Sequence, residues 1–326
     1  MRRREFIGLV GSAAAAWPLS ARAQQPLRRL GVLLGLAENN REAQAWFAAL
    51  RDELAKLGWT EGRNIEIKFR ASGDVEMLKR LAKELVALQP DLILTGTTPA
   101  GAAMLQQTRT IPIVFVLVAD PVGSGFIATL SHPGGNATGF TPIVSSLGGK
   151  WVELLKEIAP RMTRVTASFN PPTATWAEDY LSAFKAAAAA LNMEAIIAPV
   201  ADMDELSHVI KQAAEQNSGL VVIPDTFAQG HRAEITDLAA RYRVPAIYWS
   251  RSYTELGGLI SYGPYIVEEY RRAASYVDRI LKGEKPSNLP VQAPVKYEFT
   301  INLKAARALG LDVPLVLQQR ADEMIE

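Results

Sequence analysis

The 326-residue chain contains no cysteine. That absence excludes a disulfide framework, a thiolate metal site and thiol chemistry. Histidine is nearly as scarce: His132, His208 and His231 stand far apart, so no zinc-ligand spacing such as H-E-x-x-H can form. No G-x-x-x-x-G-K-[ST] and no G-x-S-x-G occurs, which removes the P-loop and the serine nucleophile elbow. Gly123-Ser124-Gly125, reaching Ala128 at the sixth position, loosely matches a dinucleotide fingerprint. It follows a turn instead of joining a first strand to its helix, so it reads as coincidence. Neither a cofactor, a metal site nor catalysis is expected. Excess charge of either sign is also lacking, with 35 Lys and Arg against 34 Asp and Glu. Past the basic N-terminus no apolar run is long enough to span a bilayer.

What is present begins with a segment that looks like an address. Arg2, Arg3 and Arg4 precede an apolar, alanine-rich run from Gly8 to about Leu19, which ends in Ala21-Arg22-Ala23. A basic start, a short apolar stretch and an A-x-A site are the parts of an export signal cleaved after about Ala23. Arg3 and Arg4 followed by Phe6-Ile7 fit a twin-arginine signal, while Arg2 departs from the usual pattern and leaves Sec export open. Cleavage would take away four arginines and one glutamate, turning a net charge of +1 into −2. Such a surface cannot neutralise a phosphate backbone, so nucleic acid is not an expected partner. With no cysteine for a lipid, the mature chain is expected to be free in the periplasm and monomeric.

From Leu30 onward short β-rich runs alternate with amphipathic segments, the rhythm of βαβ units and parallel sheets. Strands are predicted at Leu30–Leu34, Ile65–Phe69, Asp91–Leu94 and Ile111–Val118, with helices over Ala43–Leu57, Val75–Leu88 and Pro99–Thr108. Turn-rich sequence follows, and the rhythm restarts after about residue 142. Strands are then predicted near Arg164–Phe169, Glu194–Ala198, Gly219–Ile223 and Pro245–Trp249. Helices fill Lys150–Ile158, Trp176–Leu191, Met203–Gln216 and Arg232–Tyr242. The tail breaks the pattern with a strand-like Leu259–Gly263, a strong helix Tyr265–Lys282, an extended Val291–Asn302 and a short helix Ala305–Leu309. Two similar α/β halves that share the tail are the economical reading.

Several stretches carry a family likeness. Asp120-Pro121-Val122-Gly123-Ser124-Gly125-Phe126 is followed by His132-Pro133-Gly134-Gly135-Asn136-Ala137-Thr138-Gly139-Phe140. Later come Ser261-Tyr262-Gly263-Pro264, Asp278-Arg279-Ile280-Leu281-Lys282-Gly283, Ile301-Asn302-Leu303-Lys304 and Arg320-Ala321-Asp322-Glu323. In this order they resemble ABC-transporter substrate-binding proteins of the tryptophan and tyrosine type. The resemblance implies a type I periplasmic-binding-protein fold: two Rossmann-like lobes with parallel sheets, three hinge crossings and a ligand cleft between the lobes. It implies an amino acid or related carboxylate, possibly aromatic, as ligand, and an ABC permease and its ATPase as partners. By the same analogy the crossings fall near Phe140–Pro142, Leu256–Leu259 and Pro286–Pro294. One lobe would then comprise residues 24–141 plus about 257–285, and the other 142–256 plus about 286–326.

Ligands of open α/β sheets sit beyond the carboxyl ends of the strands, which nominates particular loops. In the first lobe these are Gly35–Asn40, with Glu38 and Asn39, the Thr97-Thr98 turn and the turn at Ala119. Thr97 and Thr98 either cap the following helix or offer hydroxyls beside its free N–H groups to a carboxylate; both roles can coexist. In the second lobe the equivalent positions hold Asn170, Asp225 and Thr226, and then Tyr248, Trp249 and Ser250. Asp225 is either the partner of a ligand ammonium or an N-cap, and Trp249 either stacks on a ring or fills the core. Two rival roles remain, an exported receptor for a signalling partner and a secreted α/β enzyme. A DNA-binding regulator on the same fold would need a helix-turn-helix that residues 1–29 do not supply.

Overall fold

The structure, a computed structural model, describes residues 27–326. The export signal expected at residues 1–23 lies outside these described residues. The first half runs β1 (Arg28–Leu34), α1 (Arg41–Lys56), β2 (Ile65–Ala71), α2 (Val75–Ala87), β3 (Leu92–Gly96), α3 (Thr98–Gln107), β4 (Ile113–Val116) and β5 (Ala137–Phe140). Its five strands form one parallel sheet in the order β2-β1-β3-β4-β5. Strands covered on both faces read as continuous apolar runs. Here Leu30, Val32 and Leu34 of β1 pack with Trp46, Leu50 and Leu54 of α1, while Leu33 faces a second core with Met104 and Phe115.

The second half contains α4 (Leu147–Ile158), β6 (Arg164–Phe169), α5 (Ala177–Ala190), β7 (Glu194–Pro199), α6 (Met203–Glu215), β8 (Ser218–Val222), α7 (Thr226–Gly230), α8 (Arg232–Arg241), β9 (Ala246–Tyr248) and α9 (Arg251–Glu255). Then follow β10 (Ile260–Pro264), α10 (Ile266–Leu281), a 3-10 turn at Pro286–Asn288, β11 (Tyr297–Asn302), α11 (Leu303–Leu309), α12 (Leu315–Arg320) and β12 (Glu323–Ile325). The second sheet runs β12-β11-β10-β9-β8-β6-β7, with β10 and β11 its antiparallel pair. Two α/β lobes with largely parallel sheets result. Helices α4 and α5 pack closely on one another: a Cβ at Gly148 would meet the Tyr180 carbonyl oxygen, so only glycine fits there.

The tail is divided differently from the expectation. Residues 257–264 do not join the first lobe, because β10 adds to the second sheet beside β9. Helix α10 returns, laying its Tyr270, Ala273, Ala274 and Val277 stripe against α1 and the first sheet. Residues 286–292 also belong to the first lobe, since Leu289 and Val291 sit in its cores and Gln292 pairs with Phe140. The chain therefore crosses between lobes after Phe140, at Pro264–Ile266 instead of Leu256–Leu259, and at residues 293–296. These crossings are tied side by side: Thr141 N–H donates to the Gln292 carbonyl (3.0 Å) and Tyr265 N–H to the Lys296 carbonyl (3.0 Å).

Candidate ligand-binding cleft

A cavity of about 360 Å³ lies between the lobes. The first-lobe wall is built from turns at the ends of β1, β3 and β4: Gly35 to Ala37, Thr97 to Pro99, and Leu117 with Ala119. Two residues of this wall have left-handed backbones, Thr97 at φ +84° and Leu117 at φ +59°. Non-glycine residues avoid that region, and such strain collects at ligand clamps. Thr97 does not cap α3; its Oγ1 is buried without a hydrogen-bond partner and stands over Gly35, where a Cβ would collide with it. Thr98 instead braces the wall, its Oγ1 accepting from Ala119 N–H at 3.1 Å.

The second-lobe wall is made of side chains. Trp151 and Tyr180 project from α4 and α5 with their rings 5.1 Å apart, and Trp176 and Trp249 complete the surface. Trp46 adds a ring from α1 of the first lobe. Three of these rings are held by their neighbours. Trp151 Nε1 donates to the Tyr262 carbonyl (2.7 Å) and Trp176 Nε1 to the Pro224 carbonyl (3.0 Å), while Trp46 stacks on Tyr270 at 5.5 Å. Four of the chain's six tryptophans thus line one cavity.

Asp225, Gln229 and Arg232 bring polarity to that wall. Asp225 N-caps α7, accepting from Ala228 N–H on one oxygen and from Asn170 N–H (3.0 Å) on the other. Burial raises its carboxyl above the ordinary range, and those backbone bonds oppose the rise. Gln229 Nε2 donates across the cleft to Glu42 Oε2 at 2.9 Å. Glu42, in the first turn of α1, is likewise pushed up by burial, against the pull of the Arg232 guanidinium.

Of the residues expected at the site, Thr97, Thr98, Ala119, Asp225 and Thr226 line the cavity, and so does Trp249. Five do not. Glu38 and Asn39 point to solvent, and it is Asn40, the N-cap of α1, that reaches the wall. Asn170 is spent on structure, donating to the Val200 and Ala201 carbonyls at 3.0 Å. Tyr248 is fully buried, stacked on Tyr253 at 4.6 Å, because residues alternate along β9 and its side chain faces the core behind the cleft. Ser250 caps α9 and borders a neighbouring hollow instead. Sequence reasoning missed Trp46, Trp151, Trp176, Tyr180, Gln229 and Arg232. Most of these sit on helices, where an aromatic at helical spacing looks like core.

The sequence profile of a family described as ABC transporter substrate binding protein matches residues 42–325. The chain belongs to this family. It is therefore a substrate-binding component of an ABC transporter and not an enzyme, and its ligand is a small molecule. A tyrosine-binding protein of Clostridioides difficile (strain R20291) is 24% identical over 82% of this chain and 76% of its own length. A crystal structure of a conserved domain protein from Vibrio cholerae superposes with a TM-score of 0.81 at 27% identity, over 91% of this chain and 99% of that one. An ABC domain from Streptococcus pneumonia in complex with L-Trp also reaches 0.81, at 23% identity over 92% of this chain and 100% of the other. Among the described residues no helix is long and apolar enough to cross a membrane, and no cluster of potential ligands suits a metal ion.

Proposed function

We propose that the chain captures an aromatic L-amino acid between its lobes and presents it to a membrane permease driven by an ATPase. The observation that carries this reading is the gathering of four tryptophans and Tyr180 around a single interlobe cavity. Apolar rings offset-stacked or edge-on to a ligand ring contribute beyond simple area burial, about 0.5–1.5 kcal/mol per pair. The cavity volume lies near the lower end of the ordinary ligand range of about 300–1,000 Å³, which suits one amino acid. The N-terminus of α3, with the unpartnered Thr97 hydroxyl beside it, suits a carboxylate. The buried Asp225 carboxylate supplies negative potential for an ammonium. The kinship with a tyrosine-binding protein and with a domain crystallised with L-Trp supports the same ligand class. Work outside the cytoplasmic membrane, as a monomer freed from its N-terminal signal, completes the proposal. Titration calorimetry with L-tryptophan, L-tyrosine, L-phenylalanine, L-leucine and a hexose tests it. One-to-one binding strongest among the aromatic amino acids is expected; preference for the hexose or for leucine would overturn it.

A further inference from the structure

Gln229 presents an unusual combination. It is only 9% exposed, it lines the cavity, and its Oε1 has no hydrogen-bond partner. A buried acceptor left unpaired costs about 1–3 kcal/mol, so one kept inside a binding cavity points to a donor that the ligand brings. The amide cannot simply turn round. Its Nε2 faces Glu42 Oε2 at 2.9 Å, and an ionised carboxylate only accepts hydrogen bonds. Glu42 therefore dictates which end of the amide is spent, and leaves the buried Oε1 of this cavity-lining residue as the free acceptor. Behind Gln229 the helix is pinned as well, since Arg232 donates to the Gln229 carbonyl at 2.9 Å.

We propose that Gln229 Oε1 receives the ammonium of the ligand, and that Glu42, reaching from the opposite lobe, is the positioning residue that aims it. The chemistry favours an ammonium over a neutral donor. A carboxylate bound to the N–H end of an amide polarises the carbonyl end, strengthening it as an acceptor for a cation in a low-dielectric cavity. Asp225 adds negative potential nearby, yet both of its oxygens already accept backbone N–H groups, so Gln229 offers the wholly unspent acceptor. Glu42 belongs to α1 of the first lobe and Gln229 to α7 of the second, so the acceptor is set only when the lobes meet. Recognition of the ammonium is thereby linked to closure.

The inference rests on the aromatic amino-acid reading, and the test separates the two. Calorimetry compares L-tryptophan and L-tyrosine with their des-amino analogues, indole-3-propionate and 3-(4-hydroxyphenyl)propionate, on the wild type, Gln229→Met, Glu42→Ala and the double variant. Wild type is expected to favour the amino acid over its analogue by about 10- to 100-fold, the range for a hydrogen bond to a charged group. Gln229→Met should erase most of that preference while holding the analogue's affinity within about threefold. Glu42→Ala should reduce the preference in the same direction, Glu42→Asp should restore part of it, and the double variant should be no worse than Gln229→Met alone. Equal losses for amino acid and analogue in Gln229→Met would make Gln229 a packing residue and overturn the inference alone. Additive effects of the two substitutions would remove the positioning role of Glu42. A wild type that binds none of these compounds would overturn the aromatic reading, and the inference with it.

Discussion

The two walls of the cleft are made by different means. On the first-lobe side the surface is mostly backbone: three turns at strand ends, two of them held at positive φ, with one hydroxyl bracing the next turn. On the second-lobe side it is mostly rings carried by α4, α5 and the end of β9, with Asp225 and Gln229 at α7. Backbone turns offer fixed N–H groups and small hydroxyls, which suit the part of a ligand shared by all amino acids. Rings offer area and shape, which suit the part that differs. The first wall thus offers mainly fixed backbone groups, and the second offers rings together with the polar side chains of Asp225 and Gln229.

The largest expected effect comes from breaking the ring wall. Trp151 is 1% exposed, packs on Tyr180 and holds the Tyr262 carbonyl. Trp151→Ala should cost about 3–5 kcal/mol in denaturant unfolding, from the cavity left behind and the orphaned carbonyl. Binding of an aromatic ligand should weaken far more than binding of an aliphatic one. Equal weakening of both would show that the rings form a general core and not a selective surface.

The same contrast explains what could be read in advance. The first wall follows from a rule about strand ends, so Thr97, Thr98 and Ala119 were legible once β1, β3 and β4 were placed. Asp225 and Thr226 were found by that rule too. Trp151, Trp176 and Tyr180 lie on helices, or one residue before one, where ring spacing suits burial against a sheet equally well. Nothing local distinguishes a ring facing a core from one facing a cleft. Gln229 was hidden for another reason, because α7 is a single short turn with no periodicity. The division of the tail is not legible in the sequence, because β10 and α10 are adjacent yet serve different lobes, and only strand pairing separates them.

A second, smaller effect sharpens the comparison at the axis between the walls. Glu269 of α10 is 1% exposed and meets Arg272, which also reaches the Ala293 carbonyl (2.9 Å) on the third crossing and lies over Phe140 at 5.1 Å. Burial pushes its carboxyl up to about 7, against the attraction of Arg272. The native state thus holds this proton more tightly than the unfolded chain does. Its stabilising contribution is complete below about pH 4.5 and is lost as pH rises through about 7. The loss is about 3 kcal/mol at most by the linkage relation. Unfolding measured from pH 4 to 8 should show the decline, and Glu269→Gln should flatten it. An unchanged pH profile in Glu269→Gln would assign the decline to other groups.

The smallest effect falls on the backbone wall and separates strain from binding. Thr97 sits at φ +84°, ψ 154°, a region that glycine occupies freely and threonine enters at a cost of about 1–3 kcal/mol. Thr97→Gly relieves that cost but enlarges the entropy of the unfolded chain, by about 0.5–1 kcal/mol, and removes the contact with Gly35. The net change in stability should therefore lie between no change and an increase of about 2 kcal/mol, read as an unchanged or higher unfolding midpoint. Affinity for the proposed amino acid should fall even so, because this cavity-lining residue loses its buried, unpartnered hydroxyl. A stabler protein that binds less well would mark the first wall as shaped for its ligand at the expense of the fold. A stabler protein that binds equally well would leave the strain without a role and return the carboxylate to the α3 N–H groups alone.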